Sequence, residues 1–306
     1  MIDRRSRPDR PGDENDIKMW NGEGSSRTIG NAIIKYLLLP QRLGCSDTMS
    51  WTIAVGVKQV PDADEVGIDP DTGRLDRASA PAVMNGPDRE ALEAAFRIRD
   101  QAGGEVIAMS MGPPNATSVL EEAVAMGCDD AVLVSDRAFG GSDTWPTSLT
   151  LARTAEALDA DVVVCGEETT DSSTGQVPPG IAAHNDWAQL TYAEAVDARP
   201  DENRLVARRD VEGGHEVVAA DLPVVVAAAY GEFEPRPAPL HRKIYGENDF
   251  EPTVWDAEDL EIKDEVGLEV SPTSVGGMET VDPVERKSEV VDDVDDLAES
   301  IEEVVA

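Results

Sequence analysis

Short unbroken apolar runs alternate along this chain with stretches whose apolar positions recur every three or four residues. "WTIAVGVKQV" (51–60), "EVIAMSMG" (105–112), "DAVLVSD" (130–136) and "DVVVCG" (161–166) read as strands buried on both faces. Between them lie "DREALEAAFRIRDQ", "NATSVLEEAVAMG" and "SDTWPTSLTLARTAEALD". The first places Ala91, Leu92, Ala95, Phe96 and Ile98 on an approximate helical stripe, closed by Gly103-Gly104. Asn115 is the expected N-cap of the second helix. Strands spaced by helices in this way predict a doubly wound α/β domain built on a mostly parallel sheet.

The pattern changes after Gln176. "RLVARRDVEGGHEVVAADLPVVVAAA" alternates, turns at Gly213-Gly214 and resumes with a buried run, which predicts a β-hairpin added to the sheet. From Glu232 prolines and acids dominate, so 232–290 is expected to be an extended arm with little core of its own. "DDVDDLAESIEEVVA" predicts a closing amphipathic helix. The expected division is thus 49–231 as the α/β domain and 232–306 as the arm and last helix.

Residues 1–48 stand apart. They carry eight bases against seven acids, whereas the whole chain has 26 Lys+Arg, 62 Asp+Glu and net charge −36, so the acid excess lies beyond them. "MIDRRSRPDRPGDEND" has no apolar period, and Met49 stands just before the first strand. The segment is expected to be a disordered extension or a mis-assigned start. The acid excess runs along most of the remaining chain, which points to solubility in concentrated salt, in the manner of haloarchaeal proteins. It argues against nucleic acid or anionic lipid as partners. Cys45, Cys128 and Cys165 form no framework, which suggests a reducing, cytoplasmic setting. "AIIKYLLLP" is too short to span a bilayer.

Ligands of open α/β sheets bind beyond the carboxyl ends of the strands. The most distinctive such segment is "GEETTDSSTGQV", where Thr169, Thr170, Ser172, Ser173 and Thr174 surround Asp171 before Gly175 and Gln176. Hydroxyls and backbone amides of this kind can hold phosphate or ribose oxygens, and Gly175 permits close approach. From chemistry alone the loop is either a nucleotide loop or an ordinary polar turn. Lys58 is the main positive charge near these strand ends. There is neither a GxGxxG after the first strand nor a P-loop, and His184, His215 and His241 lack triad or metal spacing. No catalytic residue and no metal site is therefore expected.

Eight segments in order, "AVGVKQVPD", "MNGPDREALEAA", "VIAMSMGPP", "LEEAVAMGCDDAVLVSD", "GSDTWPTSLTLA", "DVVVCGEETTDSSTGQVPP", "LPVVVAA" and "EPRPAPL", resemble the β subunit of electron transfer flavoprotein. "SDRAFGGSDTWPTS" looks most like its FixA-type branch. The resemblance implies a small subunit that pairs with an α subunit carrying the redox-active FAD, and that buries AMP or a second FAD itself. The nucleotide pocket would use Gly56, Asn85, Gly86, Pro87, Asp88, Met111 and the loop from Gly166 to Gln176, with Val57, Lys58, Asp143 and Thr144 as neighbours. Electrons would pass from acyl-CoA or other dehydrogenases toward a quinone oxidoreductase. Leu240 matches the family's partner-recognition leucine; the other reading is a leucine packed against the arm. The alternative from another class is a homodimeric AMP- or ATP-binding α/β module with no redox task.

Overall fold

A computed structural model describes residues 16–21, 25–30, 50–62, 67–68, 75–76 and 81–274 of the chain. The strands are β1 (Asp16–Asn21), β2 (Ser25–Gly30), β3 (Trp51–Gly56), β4 (Gln59–Pro61), β5 (Gly67–Ile68), β6 (Leu75–Asp76), β7 (Ala82–Met84), β8 (Gly104–Met111), β9 (Asp130–Val134), β10 (Val162–Gly166), β11 (Ala188–Arg199), β12 (Arg204–Val211), β13 (Gly214–Asp221), β14 (Val224–Ala228) and β15 (Thr253–Trp255). The helices are α1 (Gly86–Ala102), α2 (Thr117–Met126), α3 (Thr144–Ala157), α4 (Val177–Asn185) and α5 (Leu240–Asn248). The main sheet runs β15-β9-β8-β3-β10-β14-β11-β12-β13-β1-β2, parallel from β15 through β11.

The predicted α/β class and the added hairpin are both present. β12 and β13 pair antiparallel with Val211 opposite Gly214, and β11 joins them to the parallel part. Within the segment 1–48, β1 and β2 pair with each other and β1 runs parallel to β13. The expected closing helix lies outside the described residues.

Strand geometry sends successive side chains to opposite faces, and the core divides accordingly. Ile53, Val55, Val162, Val164, Val224 and Val226 meet α1 and α2 in one cluster, around the fully buried Phe96 and Leu120. Ala54, Val163, Cys165 and Val225 face α3 and α4 with Leu151, Ala155 and Ile181. The unbroken apolar character of these strands thus follows from helices on both sides.

Two details differ from the sequence reading. Pro113-Pro114 open a short 3-10 turn (Pro114–Ala116), so α2 begins at Thr117 and Asn115 does not cap it; its amide donates to Oε1 of Gln59 at 3.2 Å instead. The arm also holds more core than its composition suggests. Ala257, Leu260, Ile262 and Val266 pack with Ile107, Val132, Val134 and Phe139, and β15 extends the sheet beside β9.

The start of the arm is tied to α1. The Glu90 carboxylate accepts the backbone N–H groups of Gly231, Glu232 and Phe233 at 2.8, 3.0 and 3.1 Å. One turn on, Glu93 takes Arg236 through two bonds of 2.7 and 3.3 Å, and the Arg236 guanidinium lies 4.9 Å from the Phe96 ring centre. Truncation of Glu90 leaves three backbone donors without their acceptor, the one on Phe233 buried and those on Gly231 and Glu232 at exposed residues, so Glu90→Ala is expected to cost about 2 kcal/mol of stability. Glu90→Gln keeps one acceptor and should lose less. Denaturant titration at fixed high salt measures both; equal losses would refute the role given to the carboxylate.

Candidate functional site

Strand order reverses at β3: the chain proceeds to β8 and β9 on one side, then returns to β10 and β14 on the other. A crevice opens at such a switch point, beyond the carboxyl ends of β3 and β10. The loop after β3 (Val57–Lys58), the start of α1 and the hydroxyl-rich loop after β10 meet there.

Asn85 is the joint. It is fully buried, yet its side chain does not cap α1. Nδ2 donates to the carbonyl of Glu168 at 3.0 Å, Oδ1 accepts the N–H of Thr170 at 3.1 Å, and its own N–H donates to the carbonyl of Lys58 at 2.9 Å. One residue therefore fixes the spacing of all three segments. A side-chain amide suits this task because it offers a donor and an acceptor on a rigid planar group.

Asp88 sits beneath the joint in the first turn of α1. Its Oδ2 accepts the N–H of Lys58 at 2.8 Å. Burial raises its pKa to about 7, against hydrogen bonds from Asn85 and from the backbone of Lys58 and Gly166 and the charge of Lys58, which lower it. Gly166 is required at this contact: a Cβ there would fall 2.7 Å from Asp88 Oδ1 and 2.8 Å from Pro87 Cβ. Cys165 is buried beside it, and burial with the Asp88 charge pushes its thiol up to about 12, so it is no nucleophile.

The loop folds upon itself above this floor. Asp171 receives Lys58 Nζ at 2.7 Å on each oxygen, and the Ser172 hydroxyl on Oδ1 at 3.2 Å. Although partial burial opposes it, bonds from Lys58, Thr169 and Ser172 hold Asp171 below the usual carboxylate range. Thr169 and Ser172 hydroxyls lie 2.8 Å apart, and Ser173 returns to the Thr169 carbonyl through its N–H and its hydroxyl. Gly175 turns the chain at φ 60°, and Gln176 leads into α4, accepting the Thr144 hydroxyl at 2.9 Å. Thr170 and Thr174 are exposed. Asp143, which caps α3 at Trp145 N–H, also accepts from Thr273, so it serves the arm.

Gly56, Asn85, Gly86, Pro87, Asp88 and the loop 166–176 are thus brought to one crevice. Met111 is at the carboxyl end of β8 and packs partly into the α3–α4 and arm clusters. Sequence reasoning missed Tyr230, whose 63% exposed ring lies over the start of α1, 3.8 Å from where a Gly86 Cβ would stand. An aromatic directly after a buried strand, in a chain with 4% aromatics, was the available signal. A second cleft, about 600 Å³, lies between α1, α2 and α5 and is lined by charged groups including Arg89, Glu122 and Lys243. It shares no residue with the crevice. Glu194 on β11 converges with Asp210 and His215 of the hairpin, though Arg208 Nε already stands 2.9 Å from Glu194.

The perturbed Asp88 carboxyl yields a pH test. The folded carboxyl keeps its proton up to about pH 7 while the unfolded one releases it near 3.8, so the folded state holds more protons between those values. Its contribution is fully present below the lower value and is lost as pH rises through the upper one. Asp88→Asn removes it. The stability of the parent relative to this variant should fall by about 4 kcal/mol at most between pH 4 and 7. Parallel stability curves for the two proteins would contradict the burial account.

Comparison with known proteins meets this geometry from another side. The family model described as electron transfer flavoprotein domain matches residues 72–260. An electron transfer flavoprotein subunit beta of Clostridium acetobutylicum is 43% identical over 241 residues, 78% of this chain and 92% of its own. The caffeyl-CoA reductase-Etf complex subunit CarD of Acetobacterium woodii is 41% identical over 73% of this chain and 85% of its own. Protein FixA of Azotobacter vinelandii is 35% identical over 79% and 88%. The chain belongs to the electron transfer flavoprotein family, among its β subunits.

Proposed function

We propose that this chain is the small subunit of a heterodimeric electron transfer flavoprotein and binds a nucleotide, AMP or a second FAD, in the crevice between β3 and β10. The observation that carries this reading is the junction made by Asn85, which joins the start of α1 to the hydroxyl loop at a strand-order switch point. Helices α1 and α4 both begin at the crevice, and helix N-termini favour anions. Gly56, Gly86, Pro87, Gly166 and Gly175 bring backbone close, Thr169–Thr174 supply hydroxyls, Gln176 an amide, and Tyr230 an aromatic face. The donor set fits a phosphorylated nucleoside. Bound flavin supplies reversible electron storage, and the redox-active FAD belongs with the α subunit.

This carrier role places the chain between acyl-CoA or other dehydrogenases and a quinone oxidoreductase, with no catalytic residue of its own. No helix among the described residues is long and apolar enough to cross a membrane. Leu240, 74% exposed, begins α5 with Ile244 one turn on, 51% exposed. Arg242 anchors the helix to the Val124 and Cys128 carbonyls at 3.1 and 2.6 Å, and Gly246 lets it lie against Glu121. An apolar side chain held outward on an anchored helix supports a role in docking the dehydrogenase rather than in packing the arm.

Purification with the α subunit at high salt, followed by nucleotide extraction, tests the first claim. One flavin with one AMP, or two flavins, per heterodimer is expected; neither nucleotide in a folded complex would falsify it. Asn85→Ala should lower nucleotide occupancy about ten-fold while the sheet still folds. Leu240→Ala should slow reduction by the dehydrogenase with flavin content unchanged. Full activity of that variant would remove Leu240 from the interface.

A further inference from the structure

Two independent sets of bonds hold the hydroxyl loop. Its base is fixed by Asn85, through Glu168 and Thr170. Its tip is fixed by Lys58, whose ammonium sits 2.7 Å from both oxygens of Asp171 and 3.5 Å from the Thr169 hydroxyl. The two sets differ in permanence. Asn85 is fully buried, whereas the side chains of Lys58 and Asp171 are 40% and 32% exposed. An ion pair this open to water contributes little and can exchange partners.

The charges around it are lopsided. Lys58 is the one base among the residues gathered at the crevice, which also holds Asp88, Glu167, Glu168 and Asp171. An anion entering beside the loop thus meets one ammonium, and Asp171 already occupies it. A phosphoryl group brings more charge and more acceptor oxygens than a carboxylate, so it can take Lys58 over. A neutral nucleoside cannot.

We infer that the Lys58–Asp171 pair is an exchangeable latch: Asp171 holds the ammonium until a phosphoryl anion displaces it, which restricts the crevice to phosphorylated ligands. The inference rests on the nucleotide reading of the same crevice. It assigns Asp171 a competing role, distinct from acceptance of ribose hydroxyls. In concentrated salt general repulsion is screened within about 3 Å at 1 M, so contact pairs such as this one are what remains to discriminate charge.

Titration calorimetry on the full chain freed of nucleotide, at high salt, with AMP and adenosine as probes, decides the matter. Asp171→Asn should tighten AMP about five- to ten-fold and leave adenosine unchanged. Lys58→Met should weaken AMP alone, and in that background Asp171→Asn should gain less than about two-fold. Should Asp171→Asn fail to fold, Asp171→Ser carries the same expectation. Equal gain with and without Lys58 would mean simple repulsion and overturn the latch. So would weaker binding of AMP and adenosine alike, the mark of a ribose ligand. In both cases binding by the parent leaves the nucleotide reading standing. If neither the parent nor Asp171→Asn binds AMP or FAD, both readings fall together.

Discussion

The crevice depends on one buried amide. Asn85 bonds to the loop after β3 and to the loop after β10, and does so where water cannot compete. Neutral amides are economical in such a place, because a buried charge would need a counter-charge and a buried hydrocarbon could not fix the register of three backbones. Asp88 beneath shows the contrast. Its carboxyl is held by backbone donors, and burial still drives it toward the protonated form.

The shortage of lysine shapes the rest of the site. On the proposed reading, a chain with net charge −36 that holds an anion has few cations to offer it. Backbone N–H groups, hydroxyls and two helix starts would do most of that work without importing positive charge. The single ammonium at the crevice is then kept in check by a carboxylate from the loop it faces.

Much of this was legible in the sequence, for definite reasons. Val162–Gly166 and Val224–Ala228 are apolar throughout because helices cover both faces, and Gly213-Gly214 mark the added hairpin. The loop 169–176 announces itself by composition. What sequence could not show were contacts between distant positions. The amide of Asn85 reaches a residue 85 places away, and Glu90 grips donors more than 140 places on. Asn115 misled because two prolines before it impose a tighter first turn. The arm misled because its prolines and acids are the visible majority, while the few apolar residues that matter are spread between Ala257 and Val266.

Helix α1 links the two ends of this molecule's work. It is one continuous element of 17 residues, about 25 Å long. Its first turn forms the floor of the crevice, and Glu90 and Glu93 along its length grip the arm that leads to α5. A helix is stiff along its axis, so the arm and the crevice share a common beam rather than hanging from separate loops. Force applied by a protein pulling on the arm is therefore borne by the same backbone on which Asn85 and Asp88 are mounted.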